Sequence, residues 1–373
     1  MRKLLYSIGA VLFLFISSCT TDVDLNAPYK STTVVFGLLD PDSSMQWIKI
    51  NKTFLGDGNN LNYAQIRDSS EYRWEEFKSL VILELENNVV IKTHPLNDTV
   101  VSKDPYGLFY APLQTVYYVN TPNGLNPQRT YKLVADFYDR EDIEATTNLV
   151  GTDAIGFQTP QPGTFISLAQ YNSTNFDINY NDNVNVKWTP VANVEKYDLT
   201  LRFKFTEEKY QEQDHINLIS STPITIDYYI GAFNADALES QGGYVTASFA
   251  GESFFSYLKN TLTADPKILR VIGQFDGTKT RCFEVVMAMA NDELKTYLDV
   301  NAPVTGVIQE RPIYTNVTNG LGLFGSRSAV SIPNLALYGS AMQMGNLYAF
   351  GMGSYCDGLN FCDPDPTSDF SCQ

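Results

Sequence analysis

The chain contains little of what most enzymes use for catalysis. Its only histidines are His94 and His215, and it has neither a G-x-S-x-G elbow nor an H-E-x-x-H zinc motif. His94 precedes a proline in a turn-like segment and His215 follows a polar stretch, so both are expected at the surface. We therefore expect a protein that is not an enzyme and that uses no cofactor.

Basic residues are also scarce. The 373 residues include 26 Lys and Arg against 42 Asp and Glu, which gives a formal net charge of −16. A chain this acidic repels phosphate backbones, so nucleic acid is not an expected partner. Apolar residues make up 44% of the chain, enough for ordinary hydrophobic cores, and the length suits two domains.

Long apolar runs are lacking after the first residues. The closest approach to a spanning segment, residues 335–352, is interrupted by Gly, Ser, Gln and Asn and favours strands. The chain itself opens with Arg2 and Lys3, an apolar run over residues 4–16, and then small residues. This order is typical of a cleaved export signal, here over residues 1–18.

The segment Ile16-Ser17-Ser18-Cys19 resembles the lipobox of bacterial lipoproteins. The resemblance implies cleavage before Cys19, a lipid such as palmitate on that residue, a tether over residues 19–26 and anchoring to a membrane. Thr20 replaces the aspartate that retains many such proteins in the inner membrane, which favours the outer membrane. Asp22 and Asp24 resemble an acidic surface-export tag, so exposure at the cell surface stays open beside a periplasmic location. An ordinary secretory signal is the alternative.

Alternating apolar residues and closely spaced turns predict a first β domain over residues 27–158. Its strands are expected near residues 32–39, 47–52, 80–85, 89–92, 117–120 and 131–137, with a hairpin turn at residues 86–88. A proline-containing stretch at residues 151–163 predicts the domain boundary.

The second domain is expected over residues 159–352. Its pattern V-x-V-x-W-x-P, followed by Y-x-L-x-L, resembles a fibronectin type III module, which implies that Trp188 and Tyr197 fill a core between two sheets. Short helices are expected at residues 254–262 and 291–298. The predicted fold class is mainly β, with two β-sandwich domains of immunoglobulin-like and fibronectin-III-like type, the second carrying short helices.

Residues 312–325 resemble the P-x-x-x-N-[IV]-x-x-G-x-G-x-F-[GA] segment of an uncharacterised lipoprotein family of Bacteroidota, with Asn316 at its polar position. Members often sit beside TonB-dependent receptors, so the resemblance implies a β-barrel partner in the outer membrane. The glycine spacing also suits a phosphate-binding loop, but that loop needs an α/β setting. Turns or close packing explain Gly320, Gly322 and Gly325 better.

Four cysteines follow Cys19, in a compartment that permits disulfides. Three pairings are possible, and we predict a bond between Cys356 and Cys362 in the acidic tail over residues 353–373. Cys282 is expected to be a buried thiol and Cys372 to be free. The spacing of Asp363, Asp365 and Asp369 suits calcium, although a solvated acidic tail explains the same residues.

Two functions are compatible with these features. The first is an accessory or interaction subunit of a β-barrel receptor, transport or secretion complex, working through protein–protein contacts. The second is a surface protein that binds glycans or peptides through its many aromatic residues, which include 23 Tyr and 22 Phe. A broad flat apolar face would favour the first function, and exposed tyrosines grouped in a concave patch would favour the second.

Overall fold

The computed structural model describes residues 31–55, 59–151, 155–238, 240–241, 243–303, 312–340 and 343–372. Strands account for 49% of the described residues and helices for 14%, so the prediction of a mainly β protein is confirmed. Within the described ranges, no helix is long and apolar enough to cross a membrane. The predicted signal over residues 1–18 and Cys19 lie outside the described residues.

The strands and helices alternate unevenly along the chain. The strands before residue 150 are β1 (Thr33–Leu39), β2 (Met45–Lys52), β3 (Phe77–Glu86), β4 (Val89–Pro95), β5 (Asn97–Ser102), β6 (Leu113–Asn120), β7 (Thr130–Phe137) and β8 (Ile143–Asn148). The later strands are β9 (Phe157–Thr159), β10 (Ala169–Asn172), β11 (Asp177–Tyr180), β12 (Val184–Trp188), β13 (Lys196–Tyr210), β14 (Leu218–Asn234), β15 (Ser240–Gln241), β16 (Tyr244–Phe249), β17 (Ile268–Ile272), β18 (Gln274–Phe275), β19 (Thr280–Ala290), β20 (Val317–Thr318), β21 (Gly320–Ala336) and β22 (Phe361–Cys362). The helices are α1 (Asn60–Ala64), α2 (Arg67–Ser70), α3 (Gly251–Thr261), α4 (Asp292–Asn301) and α5 (Gly345–Met352), with single 3₁₀ turns at Trp74–Glu76 and Ala235–Ala237.

One sheet of 11 strands runs through both halves of the chain. Its order is β22-β17-β13-β19-β21-β1-β2-β6-β5, with β14 beside β13 and β18 beside β19. The join is β21, which pairs with β1 in parallel and with β19 in antiparallel orientation. Smaller sheets have the orders β20-β8-β7-β3-β4, β15-β16-β12-β9 and β10-β11.

Two hydrophobic cores lie against this large sheet. The first contains Val35, Ile48 and Tyr117 from the large sheet together with Leu133 and Phe137 from β7. The second contains mostly residues after 150 and is rich in aromatic rings, among them Trp188, Tyr197, Phe203, Phe254 and Phe350. Strict alternation along β7 and the first half of β13 sends every second side chain into a core, as a half-buried strand requires.

Most predicted elements of the fold are confirmed. The hairpin of β3 and β4 turns at Asn87 and Asn88, whose φ values of 50° and 63° suit a tight two-residue connection. Helices α3 and α4 cover the two predicted helical segments, and the Asn291 side chain caps α4. The prediction of strands over residues 335–352 is wrong, because β21 ends at Ala336 and the helix α5 follows. Leu347 and Phe350 are three positions apart, lie on one face of α5 and are buried in the second core.

The predicted bond between Cys356 and Cys362 is also wrong. Cys362 bonds to Cys372, with 5.0 Å between the Cα atoms, while Cys356 is a buried free thiol. Two backbone hydrogen bonds that link Asp363 with Phe370 and Cys372 turn the last residues back onto β22. Cys356 instead packs into the second core. The expectation of a buried thiol at Cys282 is confirmed.

Candidate functional site

The tail aspartates do not form a cation site. Asp363 and Asp365 are almost fully buried, so the expectation of a solvated acidic tail is wrong for these two residues, whereas Asp369 is exposed. Asp363 accepts from the Thr280 hydroxyl, Asp365 from the Tyr338 hydroxyl at 3.0 Å, and Asp369 from the Tyr348 hydroxyl at 2.6 Å. Each carboxylate thus has a separate partner. Across the part of the chain that is described, no group of three His, Cys, Asp or Glu residues is placed to hold a metal.

The two histidines have different environments. His94 is 7% exposed and its Nε2 lies 3.0 Å from a Glu84 carboxylate oxygen, so its expected surface position is wrong. His94 lies opposite Ile82 of β3, and its ring centre is 6.5 Å from that of the buried Tyr131. His215 lies at the turn before β14 with its Nε2 2.9 Å from the Pro266 carbonyl oxygen. The two residues thus have separate partners, and neither lines any cavity described below.

The glycine-rich block has a structural role. Gly322 has a φ of +107°, and a Cβ at that position would lie 2.0 Å from the Val35 carbonyl oxygen. A side chain at Gly320 would approach Val317 and the Thr33 carbonyl, at 2.8 Å and 3.0 Å. Because Gly320 and Gly322 carry no side chain, β21 can lie in register beside β1 without these clashes. Close packing therefore accounts for these glycines, in line with the sequence interpretation.

The open face of the large sheet carries a concave site. Along β1 and β2, Val35 and Ile48 point into the first core, so Phe36 and Lys49 point away from it. A cavity of about 500 Å³ forms over this outer face. We call it the lysine–aromatic cleft, and its lining residues are Val34, Phe36, Lys49, Asn51, Lys52, Thr53, Phe54, Ser70, Glu71, Lys103, Phe109, Tyr110 and Gln114.

Aromatic rings form the walls of the cleft. Phe36 packs edge-on against Tyr297 of α4, with 6.0 Å between ring centroids. Phe54 and Phe109, from two different loops, pack edge-on at 6.5 Å. Since α4 lies on the sheet next to β21, it supports one wall, and the loop between β5 and β6 supplies the other.

Three lysines line the same cavity. Burial lowers the pKa of Lys49, against the opposing effect of Glu71, and its ammonium donates a hydrogen bond to Gln114. The Lys52 ammonium is 3.4 Å from a Glu76 carboxylate oxygen and 5.0 Å from the centre of the Tyr72 ring. Lys103 lies over the Phe109 ring at 5.4 Å.

The one carboxylate in the lining, Glu71, already has strong partners. It accepts from Arg67 Nε at 3.0 Å, from the Thr115 amide at 3.0 Å and from the Thr115 hydroxyl at 2.6 Å. The Arg67 guanidinium offsets its charge, so Lys49 and Lys103 leave an excess of positive charge in the cleft. This local excess contrasts with the net charge of −16 of the whole chain.

Two other cavities lined by described residues lack this combination. A cavity of about 310 Å³ beside α4 is lined by Lys196 and Arg327, but also by Asp40 and Asp198, so its charges balance. One of about 540 Å³ near β12 is lined mainly by amide, hydroxyl and aliphatic groups. The lysine–aromatic cleft is therefore the better candidate for binding an anion with a ring or apolar part.

Sequence reasoning missed the cleft. The alternation of Trp47, Lys49 and Asn51 along β2 was a usable signal for a polar outer face, but Lys103 and Phe109 lie in a loop without periodicity. Comparison of the chain with known protein families and with curated proteins finds no match.

Proposed function

We propose that this chain is a non-enzymatic, lipid-anchored outer-membrane protein that binds a small ligand in the lysine–aromatic cleft. The ligand would combine an anionic group with an apolar or ring-shaped part, as an acidic sugar or an acidic aromatic peptide does. The observation that carries the proposal is the convergence of Lys49, Lys52 and Lys103 on one aromatic-walled cavity. The lipobox-like segment ending at Cys19 supports the anchor.

The physical basis is the surroundings of the lysines. A charge pair in a half-buried cavity is stronger than the same pair in water, because less solvent screens it. Phe36, Phe54 and Phe109 add apolar area and ring faces that pack against sugars or aromatic groups. The cavity volume lies within the range of small-molecule sites.

The accessory role beside a β-barrel receptor is a second candidate. The resemblance of residues 312–325 to the receptor-associated lipoprotein family supports it. So does the edge strand β4, where Val89, Val90 and Ile91 are exposed and one side pairs with no strand among the described residues. We also propose that the two cores belong to two β-sandwich domains, over residues 27–158 and 159–352.

A fluorescence titration tests the cleft. The probe is 8-anilinonaphthalene-1-sulfonate, which joins a sulfonate to aromatic rings. We expect Lys49→Met and Lys103→Met each to weaken its binding by about tenfold, the effect of losing about 1.4 kcal/mol. Lys92→Met, on the exposed strand β4, is the matched control and should bind like the wild type. Equal affinities for all four proteins would refute the proposed site.

The second candidate has its own test. A mild-detergent pull-down from native membranes, followed by mass spectrometry, should recover one β-barrel protein with the wild-type chain. A charged variant of the edge strand, Val90→Lys, should lose that protein, while Lys92→Met keeps it. Retention by both variants would count against β4 as the contact.

A further inference from the structure

Exposed apolar side chains are concentrated at the end of the large sheet where β1 begins. We call this group the apolar rim, and its members are Leu55, Leu61, Ile66, Tyr106, Leu108 and Phe109. Tyr106 is 95% exposed and Leu108 is 67% exposed, which is unusual for side chains of this size. A cluster of this kind marks a surface that a membrane, a protein partner or a ligand covers.

The rim is an organised surface that joins three segments. Gln65 Nε2 donates to the Leu108 carbonyl at 2.5 Å, and the Tyr110 amide donates to the Ala64 carbonyl at 2.8 Å. These bonds hold the loop between β5 and β6 against α1. The ring pair of Phe54 and Phe109 joins the end of β2 to the same loop.

The first described residues, Ser31 and Thr32, lie at this same end. The Ser31 hydroxyl donates to the Thr53 carbonyl at 3.0 Å, and the Thr32 amide donates to the Thr53 hydroxyl at 2.9 Å. Thr53 directly precedes Phe54 and the rim residue Leu55. Cys19 stands twelve residues before Ser31, so even a fully extended connection spans only about 40 Å.

From these observations we propose that the apolar rim rests on the lipid bilayer that holds the anchor. This orientation rests on the proposed function, because it requires the lipid anchor at Cys19. Aromatic and aliphatic side chains on loops partition into the interfacial layer of a membrane, where an amphipathic ring such as that of Tyr106 is favoured. Around the rim, Arg67 pairs with Glu71 and Arg73 with Asp68, so these four charges cancel and a zwitterionic lipid surface suits the rim.

Such an orientation has a consequence for the cleft. Phe109 belongs both to the rim and to the cleft wall, and Phe54 packs against it. The lysine–aromatic cleft then opens beside the membrane surface instead of facing away from it. Ligands that reach the cleft would approach along the lipid headgroups.

Tryptophan quenching in vesicles tests the orientation. The full acylated protein is reconstituted on phosphatidylcholine vesicles with or without bromine on the acyl chains, and emission is compared with that of the wild type. Added emission from Leu108→Trp or Tyr106→Trp should be lost in brominated vesicles. Added emission from Ile216→Trp, which is equally exposed but lies before β14, should be unaffected. Equal quenching, or none, at all three positions would overturn the proposal and leave the rim to a protein partner.

The presence of the lipid at Cys19 is measured separately, by intact-mass spectrometry of the protein. A chain without acyl groups would refute the lipid at Cys19, and the same variants would then be measured at high lipid concentration. Quenching of Leu108→Trp under those conditions would still support the rim as a membrane contact. Absence of quenching there would overturn it. The binding of the anionic fluorophore to the cleft is independent of both results.

Discussion

The side-chain amide of Asn316 pairs with the backbone of Phe324 in both directions. Asn316 Nδ2 donates to the Phe324 carbonyl at 2.6 Å, and the Phe324 amide donates to Asn316 Oδ1 at 2.9 Å. The amide thereby acts as a short strand partner for β21, next to its parallel pairing with β1. The polar position of the glycine-rich block thus has a defined structural role.

Replacing Asn316 should destabilise the fold. Asn316→Ala leaves two backbone groups of Phe324 without partners, and each such loss costs about 1–3 kcal/mol when the group is buried. Urea denaturation should show a lower midpoint with an unchanged slope. Thr318→Ala, on the exposed side of β20, is the control and should change the midpoint little. A midpoint for Asn316→Ala equal to that of the control would contradict the role assigned to the amide.

Gly322 should not tolerate a side chain. The added methyl group of Gly322→Ala would meet the Val35 carbonyl at 2.0 Å, at a φ that L-residues rarely adopt. We expect a loss of about 1–3 kcal/mol or more, as for other overpacked sites. Gly107→Ala, with open space around its Cβ, should melt like the wild type. Thermal melts of both variants check this, and normal stability of Gly322→Ala would argue against the parallel pairing of β1 with β21.

Trp188 should be a large contributor to the second core. It is fully buried and packs edge-on against Tyr197, with 5.1 Å between ring centroids, so the expectation of a core pair is confirmed. Truncation to alanine should cost about 3–5 kcal/mol. Trp47→Ala, which removes a half-exposed ring from the outer face of β2, should cost much less. Equal melting temperatures for the two variants would be incompatible with this arrangement.

The two free cysteines, Cys282 and Cys356, should be unreactive in the folded protein. Burial raises the pKa of Cys356 to about 12, and burial also raises the pKa of Cys282. Neither thiol should react with iodoacetamide at pH 8 until the protein unfolds, because only the thiolate is nucleophilic. Peptide mapping without reductant should show a disulfide bond between Cys362 and Cys372. A linkage of Cys356 to either residue, or rapid alkylation of the folded protein, would disprove this assignment.

The disulfide should stabilise the fold modestly. Its residues are 10 apart, and closing so short a loop contributes about 2–3 kcal/mol in the chain-entropy model. Cys372→Ser should therefore lower the unfolding midpoint without preventing folding, since Leu359 and Phe361 still anchor the tail in the second core. Cys282→Ser serves as the comparison for loss of a buried thiol. No difference between wild type and Cys372→Ser would show that the bond adds nothing.

Local pattern was sufficient for most strands and for the helices α3 and α4. Alternation of apolar residues is a property of neighbours in the chain, and so are the turn at Asn87 and Asn88 and the cap at Asn291. The mainly β class follows from that information alone, whereas the burial of Trp188 and Tyr197 was implied by the resemblance of their pattern to a fibronectin type III module. The glycine block was likewise interpreted correctly as packing and not as a nucleotide loop.

Contacts between distant residues were decided only by the tertiary structure. The parallel pairing of β1 with β21 joins residues nearly 290 positions apart, and no local pattern encodes it. The burial of His94, the position of Cys372 beside Cys362 and the packing of the acidic tail depend on which surfaces meet after folding. The cleft has the same origin. Lys49, Lys103 and Phe36 come from separate segments and become one site because the strands and loops that carry them are adjacent only in the folded sheet.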